Sequence, residues 1–182
     1  MKPVVITGGP GAGKTTLLNA LGEVGYATFA EGSRTLIEQQ SQRDDGVLPW
    51  TNLPEFANLC LALMSEQKHK ALGHEVAFVD RAIPDIVAYL RVGGCNVPEA
   101  FIQGCAGYYG QVLACRPEKA IYVQDEVRPH SFEEALHIHQ TLVDGYAELG
   151  YQVLEVPWGS VDERVSFVRR VMGLVDERGS SA

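Results

Sequence analysis

The chain has 182 residues, enough for one domain with a full core. Hydrophobic residues make up 46% of it, and 15 basic against 23 acidic side chains leave a formal charge of −8. This is the composition of an ordinary globular protein, and it argues against general nucleic-acid binding, which needs a basic footprint.

Residues 4–22 read VVITGGPGAGKTTLLNALG. Four apolar, mostly β-branched residues predict a strand, and a glycine-rich turn follows. Gly8, Gly13, Lys14 and Thr15 fit the spacing G-x-x-x-x-G-K-[ST] of the phosphate-binding loop. The chemistry accounts for these residue types. Glycine lets the backbone take positive φ and approach phosphates with no Cβ in the way. The loop N–H groups and the first turn of the next helix then form an anion nest. Lys14 is placed to reach the β- and γ-phosphates, Thr15 to offer a hydroxyl to Mg²⁺, and Thr16 to lie near the α-phosphate.

The helix after the loop carries Leu17, Leu18, Leu21 and Val24 as an apolar stripe, and Gly22 and Gly25 end it. Tyr26 to Ala30 predicts a second strand. Glu31 follows at the rim where ligands of open parallel sheets bind. Two roles compete for it. It takes or binds an acceptor hydroxyl, or it is a helix N-terminal carboxylate favoured by the dipole. Arg34, one turn on, contacts phosphate or pairs with Glu31. Gln39 to Leu53 predicts a polar loop, in which Trp50 either anchors the loop or stacks on a substrate ring.

Asn52, Pro54 and Glu55 mark a helix start. The helix is expected over 54–72, with Phe56, Leu59, Cys60, Leu63 and Met64 inward and Lys68, His69 and Lys70 at its solvated end. Val76 to Val79 is a short apolar strand ending in Asp80-Arg81. Asp80 would hold Mg²⁺ through water or act as base. An arginine stands where hydrolytic ATPases often place a water-orienting glutamate. Arg81 beside the phosphates therefore suits transfer to an acceptor rather than hydrolysis.

Ile83 to Val92 predicts a helix with Asp85 and Tyr89 one turn apart, both towards the cleft. Pro98 opens a further helix to about Ala114, and Lys119 to Val123 reads as the fourth strand. Gln124 to His130 has the charge and proline of a mobile flap. Arg128 in it is a candidate lid arginine, or else a surface partner of Asp125 or Glu126. Ser131 with Glu134, and Ser160 with Glu163, form capping boxes. The helix opened by Ser131 carries Ala135, Ile138, Leu142 and Tyr146. Its His137 and His139 lie two apart and face different sides. Tyr151 to Val156 is the fifth strand. Trp158 in the turn after it stacks on adenine or simply packs the turn. The last helix is expected to bury Val161, Val165, Val168, Met172 and Val175.

Strands near 3–7, 26–30, 76–80, 119–124 and 151–156 alternate with helices, which makes the fold α/β with a parallel sheet covered on both faces. For a P-loop NTPase of the kinase kind, this is a three-layer sandwich with strand order 2-3-1-4-5. Residues 1–176 are read as a single domain and 177–182 as a flexible tail. Cys60, Cys95, Cys105 and Cys115 lack C-x-x-C spacing, so reduced thiols in a cytoplasmic protein are expected and a metal site is not. No secretory leader or bilayer-length apolar run is visible, so no membrane partner is expected.

The arrangement resembles the P-loop kinases of nucleosides and nucleotides. It is most similar to a small family of AAA-labelled P-loop domains, which includes the nicotinamide riboside kinase domain of a bacterial NAD regulator. The matching stretches are ITGGPGAGKTTLLNAL, YATFAEGSR, FVDRAIPDIVAYL, SFEEALHIHQ and GYQVLEVPWGSVDERVSF. The resemblance implies ATP held by Gly8, Gly9, Pro10, Gly11, Ala12, Gly13, Lys14, Thr15 and Thr16, with Mg²⁺ at Thr15. It matches Glu31 to the acceptor-hydroxyl carboxylate of nucleoside kinases, and Asp80-Arg81 to their paired residues.

Two functions follow as expectations. One is a kinase using MgATP, with a small-molecule, nucleoside-like acceptor held by Glu31, Arg34 and Asp85. In it, Lys14, Arg81 and Arg128 stabilise the transferring phosphoryl group. The other is a slow NTPase acting as a nucleotide-dependent binding switch or adaptor. A guanine-specific switch lacks its Asn/Thr-Lys-x-Asp base-reading motif here, and an AAA+ ring motor lacks room for a helical lid after the fifth strand.

Overall fold

The computed structural model describes residues 1–122 and 131–174. In chain order the elements are β1 (Val4–Gly8), α1 (Lys14–Glu23), β2 (Ala27–Phe29), α2 (Gly32–Ser41), α3 (Leu53–Ala71), β3 (Ala77–Asp80), α4 (Ile83–Val92), α5 (Glu99–Gly104), β4 (Gln111–Cys115), α6 (Phe132–Glu148), β5 (Gln152–Val156) and α7 (Val161–Val171). The five strands form one sheet in the order β2-β3-β1-β4-β5, every neighbouring pair parallel. This is the expected topology.

The pleat of β1 divides the core. Val4 and Ile6 pack with Leu17 and Leu21 of α1 and Val168 of α7. Val5 points the other way, into a cluster with Ala71 of α3 and Tyr146 of α6. Because both faces are covered, β1 and β3 are buried at every position and read as continuous apolar runs. Asn52, Ser131 and Ser160 each cap a helix by accepting the N–H three residues on, and the latter two complete the expected capping boxes.

The fourth strand is not where the sequence placed it. The helix from Pro98 stops at Gly104, and β4 is Gln111–Cys115, paired with β1 and β5. Gly107 takes φ 96°, and Tyr109 donates its N–H to Pro3, so the chain turns back into the sheet. The buried run VLAC has no alternation, and periodicity alone cannot separate such a strand from a helix. Lys119–Ile121 is one 3-10 turn, and the remainder of the strand expected there, with the flap, lies outside the described residues. Two apolar assignments also change. Val24 and Val161 are 49% and 38% exposed because each sits at a helix end, past the packed stripe. Leu59 and Leu63 are half-buried. Val175 and the tail lie outside the described residues. No described helix is long and apolar enough to cross a membrane.

Candidate functional site

The turn between β1 and α1 depends on its glycines. Gly8, Gly11 and Gly13 have φ of 133°, 70° and 70°. A Cβ on Gly8 would lie 1.9 Å from the carbonyl oxygen of Cys115, backbone against backbone. A Cβ on Gly13 would lie 2.7 Å from Nη1 of Arg164. Gly8→Ala is therefore expected to unfold the protein or lower its urea midpoint sharply. Gly110→Ala, with open space around it, should leave the midpoint within error. Equal effects of the two would show that the close approach at Gly8 is relieved at little cost.

Gly13 is the N-cap of α1, yet no side chain caps that end and no acidic residue stands in its first turn. The first N–H groups of α1 are thus left for a ligand. Lys14 is 7% exposed and donates from Nζ to the carbonyls of Gly8 (3.1 Å) and Gly9 (3.0 Å). Burial, then repulsion from Arg81, lowers its pKa to about 8 against the attraction of Asp80 and Glu31. A buried cation with only carbonyls as hydrogen-bond partners suits an incoming anion.

β3 runs beside β1 and brings Asp80 opposite Ile6. Asp80 is 2% exposed, and its Oδ1 has no hydrogen-bond partner. Burial raises its carboxyl to about 6, with Lys14 opposing. The exposed Thr15 hydroxyl on the cleft wall and the orphaned Asp80 oxygen fit a hard divalent cation. The positive-φ glycines and uncapped helix end fit the triphosphate it would accompany.

Arg81 is, among the described residues, the one non-glycine with positive φ, 64°. Its N–H is held by Ile6 O at 2.9 Å. Its guanidinium donates from Nε to Glu31 Oε1 and from Nη1 to Asp85 Oδ1, both at 3.1 Å, and lies 5.8 Å from the Tyr89 ring centre. Glu31 stands at the N-cap of α2 but makes no cap hydrogen bond there; its carboxylate also accepts from Ser33. Burial pushes that carboxyl up, but Arg81, Lys14, the Ser33 hydroxyl and Arg34 together hold it below its usual range, so it is ionised.

A cleft of about 940 Å³ gathers most of the residues expected from the sequence. Pro10 to Thr16, Glu31, Arg34, Trp50, Arg81, Tyr89 and Trp158 all line it. Asp80 is buried and is not among the lining residues, while its neighbour Arg81 is. Arg34 is exposed and forms no ion pair with Glu31. Trp158 donates from Nε1 to Arg116 O at 2.9 Å, which fixes its ring at the mouth of the cleft.

Asp85 does not belong to the cleft surface, contrary to expectation. It is fully buried and accepts from Thr7, Arg81, the N–H of Ala82 and the Tyr146 hydroxyl. Helical spacing puts it one turn before Tyr89, but the Arg81 guanidinium stands between it and the cleft. Arg128 lies outside the described residues. Arg164 of α7 went unnoticed in the sequence. It is 4% exposed, donates to the carbonyls of Ala12 (3.3 Å) and Gly13 (3.2 Å), and faces the Trp158 ring at 5.0 Å. The available signal was a charge on the inward stripe of α7, one turn before Val168.

A family profile described as an AAA domain matches residues 3–164. The chain belongs to this AAA domain family. No curated protein matches this chain in sequence. Among solved structures, deoxyadenosine kinase from M. mycoides has a TM-score of 0.66 at 14% identity, covering 95% of this chain and 100% of that one. The NadR protein in complex with NR has a TM-score of 0.69 at 21% identity, covering 99% of this chain but 54% of the NadR chain, so this chain spans about half of that protein. Shikimate kinase from Acinetobacter baumannii, in complex with shikimate, has a TM-score of 0.56 at 17% identity, covering 96% and 94%. At these identities the likeness establishes the P-loop kinase fold.

Proposed function

We propose that this AAA domain is a cytoplasmic small-molecule kinase that transfers the γ-phosphate of MgATP to a hydroxyl of a nucleoside-like acceptor. The observation that carries it is the joining of Glu31 and Arg81 in one cleft with the phosphate loop. A carboxylate that can bind or deprotonate a hydroxyl thus stands beside a fixed cation and an anion nest. The fold shared with kinases of nucleosides and of shikimate supports it.

In this mechanism the loop N–H groups and Lys14 hold the β- and γ-phosphates, and Trp158 supports the adenine. Thr15 and Asp80 would hold Mg²⁺, which when bound neutralises phosphate charge. Glu31 binds the acceptor hydroxyl and takes its proton. Arg81, held from behind by Asp85, faces the charge that spreads over the transferring phosphoryl oxygens. Arg34 and Trp50, which line the same cleft, would face the acceptor. Asp80 is followed by arginine, so no side chain at that position orients water for hydrolysis.

The test is ADP formation from MgATP against a panel of acceptors, nicotinamide riboside and the common nucleosides included. One acceptor is expected to raise turnover many-fold over the rate with water alone. Tight ATP binding with no acceptor effect anywhere on the panel overturns the kinase and leaves a slow NTPase switch.

A further inference from the structure

We infer that Arg164 is a positioning residue of the phosphate loop: it holds the loop's peptides so that their N–H groups face the bound phosphates. The inference rests on nucleotide binding at the loop and not on the acceptor or on phosphoryl transfer. Arg164 lies on the first turn of α7, far along the chain from the loop, and reaches it from beneath the Trp158 ring. Nη2 donates to Ala12 O at 3.3 Å and Nη1 to Gly13 O at 3.2 Å. Nη2 also donates to Sγ of Cys115, at 3.2 Å, on the strand that underlies the loop.

Peptide geometry turns these contacts into a consequence for the ligand. In a planar trans peptide the C=O and the N–H point in opposite directions. The carbonyl of Ala12 shares its peptide with the N–H of Gly13, and that of Gly13 with the N–H of Lys14. Holding both carbonyls on the Arg164 side therefore aims both N–H groups the other way. Those two donors open α1, where no side-chain cap competes for them. Positive φ at Gly11 and Gly13 makes the turn possible, but glycine alone would leave it free to reorient. Gly13 O already accepts the Leu17 N–H at 3.1 Å, the first bond of α1, so the guanidinium fork adds a second hold there and ties the Ala12 carbonyl to the same cation. The same contact explains Gly13 a second time, since a Cβ there would lie 2.7 Å from Nη1.

Arg164 also lines the cleft, beside Trp158, so a base-reading role is the rival. Inorganic tripolyphosphate separates the two, because it fills the nest and carries no base. Isothermal titration would measure Mg-free binding of ATP and of tripolyphosphate to wild type, Arg164→Ala and Arg164→Lys. Both ligands are expected to lose affinity by the same factor in Arg164→Ala, about tenfold or more for the loss of charge-assisted hydrogen bonds. Lysine reaches one carbonyl and should recover part of it, as should guanidinium ion added to the alanine variant. Backbone ¹⁵N–¹H resonances of Gly13 and Lys14 should shift on adding tripolyphosphate to wild type and much less in the alanine variant. A loss confined to ATP assigns Arg164 to the base and overturns the inference, as does no loss for either ligand. If the alanine variant is unfolded by circular dichroism, the lysine variant carries the same comparison. Failure of wild type to bind either ligand would instead overturn the nucleotide site itself.

Discussion

Replacing Asp85 by alanine is expected to destabilise the protein by about 3–5 kcal/mol, the cost of removing one partner from a buried ion pair. The carboxylate is fully buried and has all its acceptor positions in use. Oδ1 takes Thr7 Oγ1 at 2.6 Å and Arg81 Nη1 at 3.1 Å, and Oδ2 takes the Ala82 N–H at 2.9 Å and the Tyr146 hydroxyl. Without it Arg81, 7% exposed, keeps Glu31 alone, while two buried hydroxyls lose their acceptor. The left-handed backbone at Arg81 costs about 1–2 kcal/mol for an L-residue, and Asp85 helps to hold it by fixing both the guanidinium and the next N–H. Tyr146→Phe removes a single donor from that charged carboxylate and should cost about 1.5–3 kcal/mol, less than the loss of the carboxylate itself. Urea unfolding midpoints at constant m measure both. An alanine variant within about 1 kcal/mol of wild type would mean that water or a rearranged Arg81 satisfies the cavity, and that Asp85 is not the support described.

What the sequence made legible follows from the range of the interactions involved. The phosphate loop is local: each residue of the motif answers a backbone or ligand demand within a few positions, so spacing alone carries it. The helix Ile83–Val92 is bounded by an Asp-Arg pair before it and Gly93-Gly94 after it, and both ends fall where expected. The strand β4 was hidden because burial on both faces erases the alternation that marks a strand. Asp85 was placed on the correct helix but given the wrong neighbour. Its partners Thr7 and Tyr146 lie 78 and 61 positions away, and no periodicity reports such pairings. Arg164 failed for the same reason, its carbonyl partners lying 151 and 152 positions off. The site was thus readable as far as its loop and rim, while the buried supports behind both required the fold.

Lys14→Met is expected to separate function from stability by moving them in opposite directions. Phosphoryl transfer should fall by about 10²–10³-fold or more, the usual cost of removing one charged donor from a transition state that bears charge on several oxygens. Nucleotide should also cease to raise the melting temperature of the variant. The ligand-free protein behaves otherwise. Its Lys14 ammonium is buried, beside Arg81, and its pKa is lowered from 10.5 to about 8. At this group the unfolded chain therefore binds more protons than the folded one between those two values, so the Lys14 contribution to stability rises with pH across that window, while the buried thiols of Cys60 and Cys105, whose pKa values are raised, act in the opposite direction. Below about pH 8 the folded state carries the full burden of an unfavourably buried charge. Methionine keeps the stem and removes that burden, at the loss of the hydrogen bonds to the carbonyls of Gly8 and Gly9. The free variant should accordingly melt no lower than wild type at pH 7, and the stability of wild type relative to the variant should rise between about pH 8 and 10.5, the thiol contributions common to both cancelling in the difference. Thermal melts with and without ATP, across that pH range, test both halves. A free variant that melts well below wild type would show that the two carbonyl contacts outweigh the buried charge, and Lys14 would then be part of what holds the empty loop together.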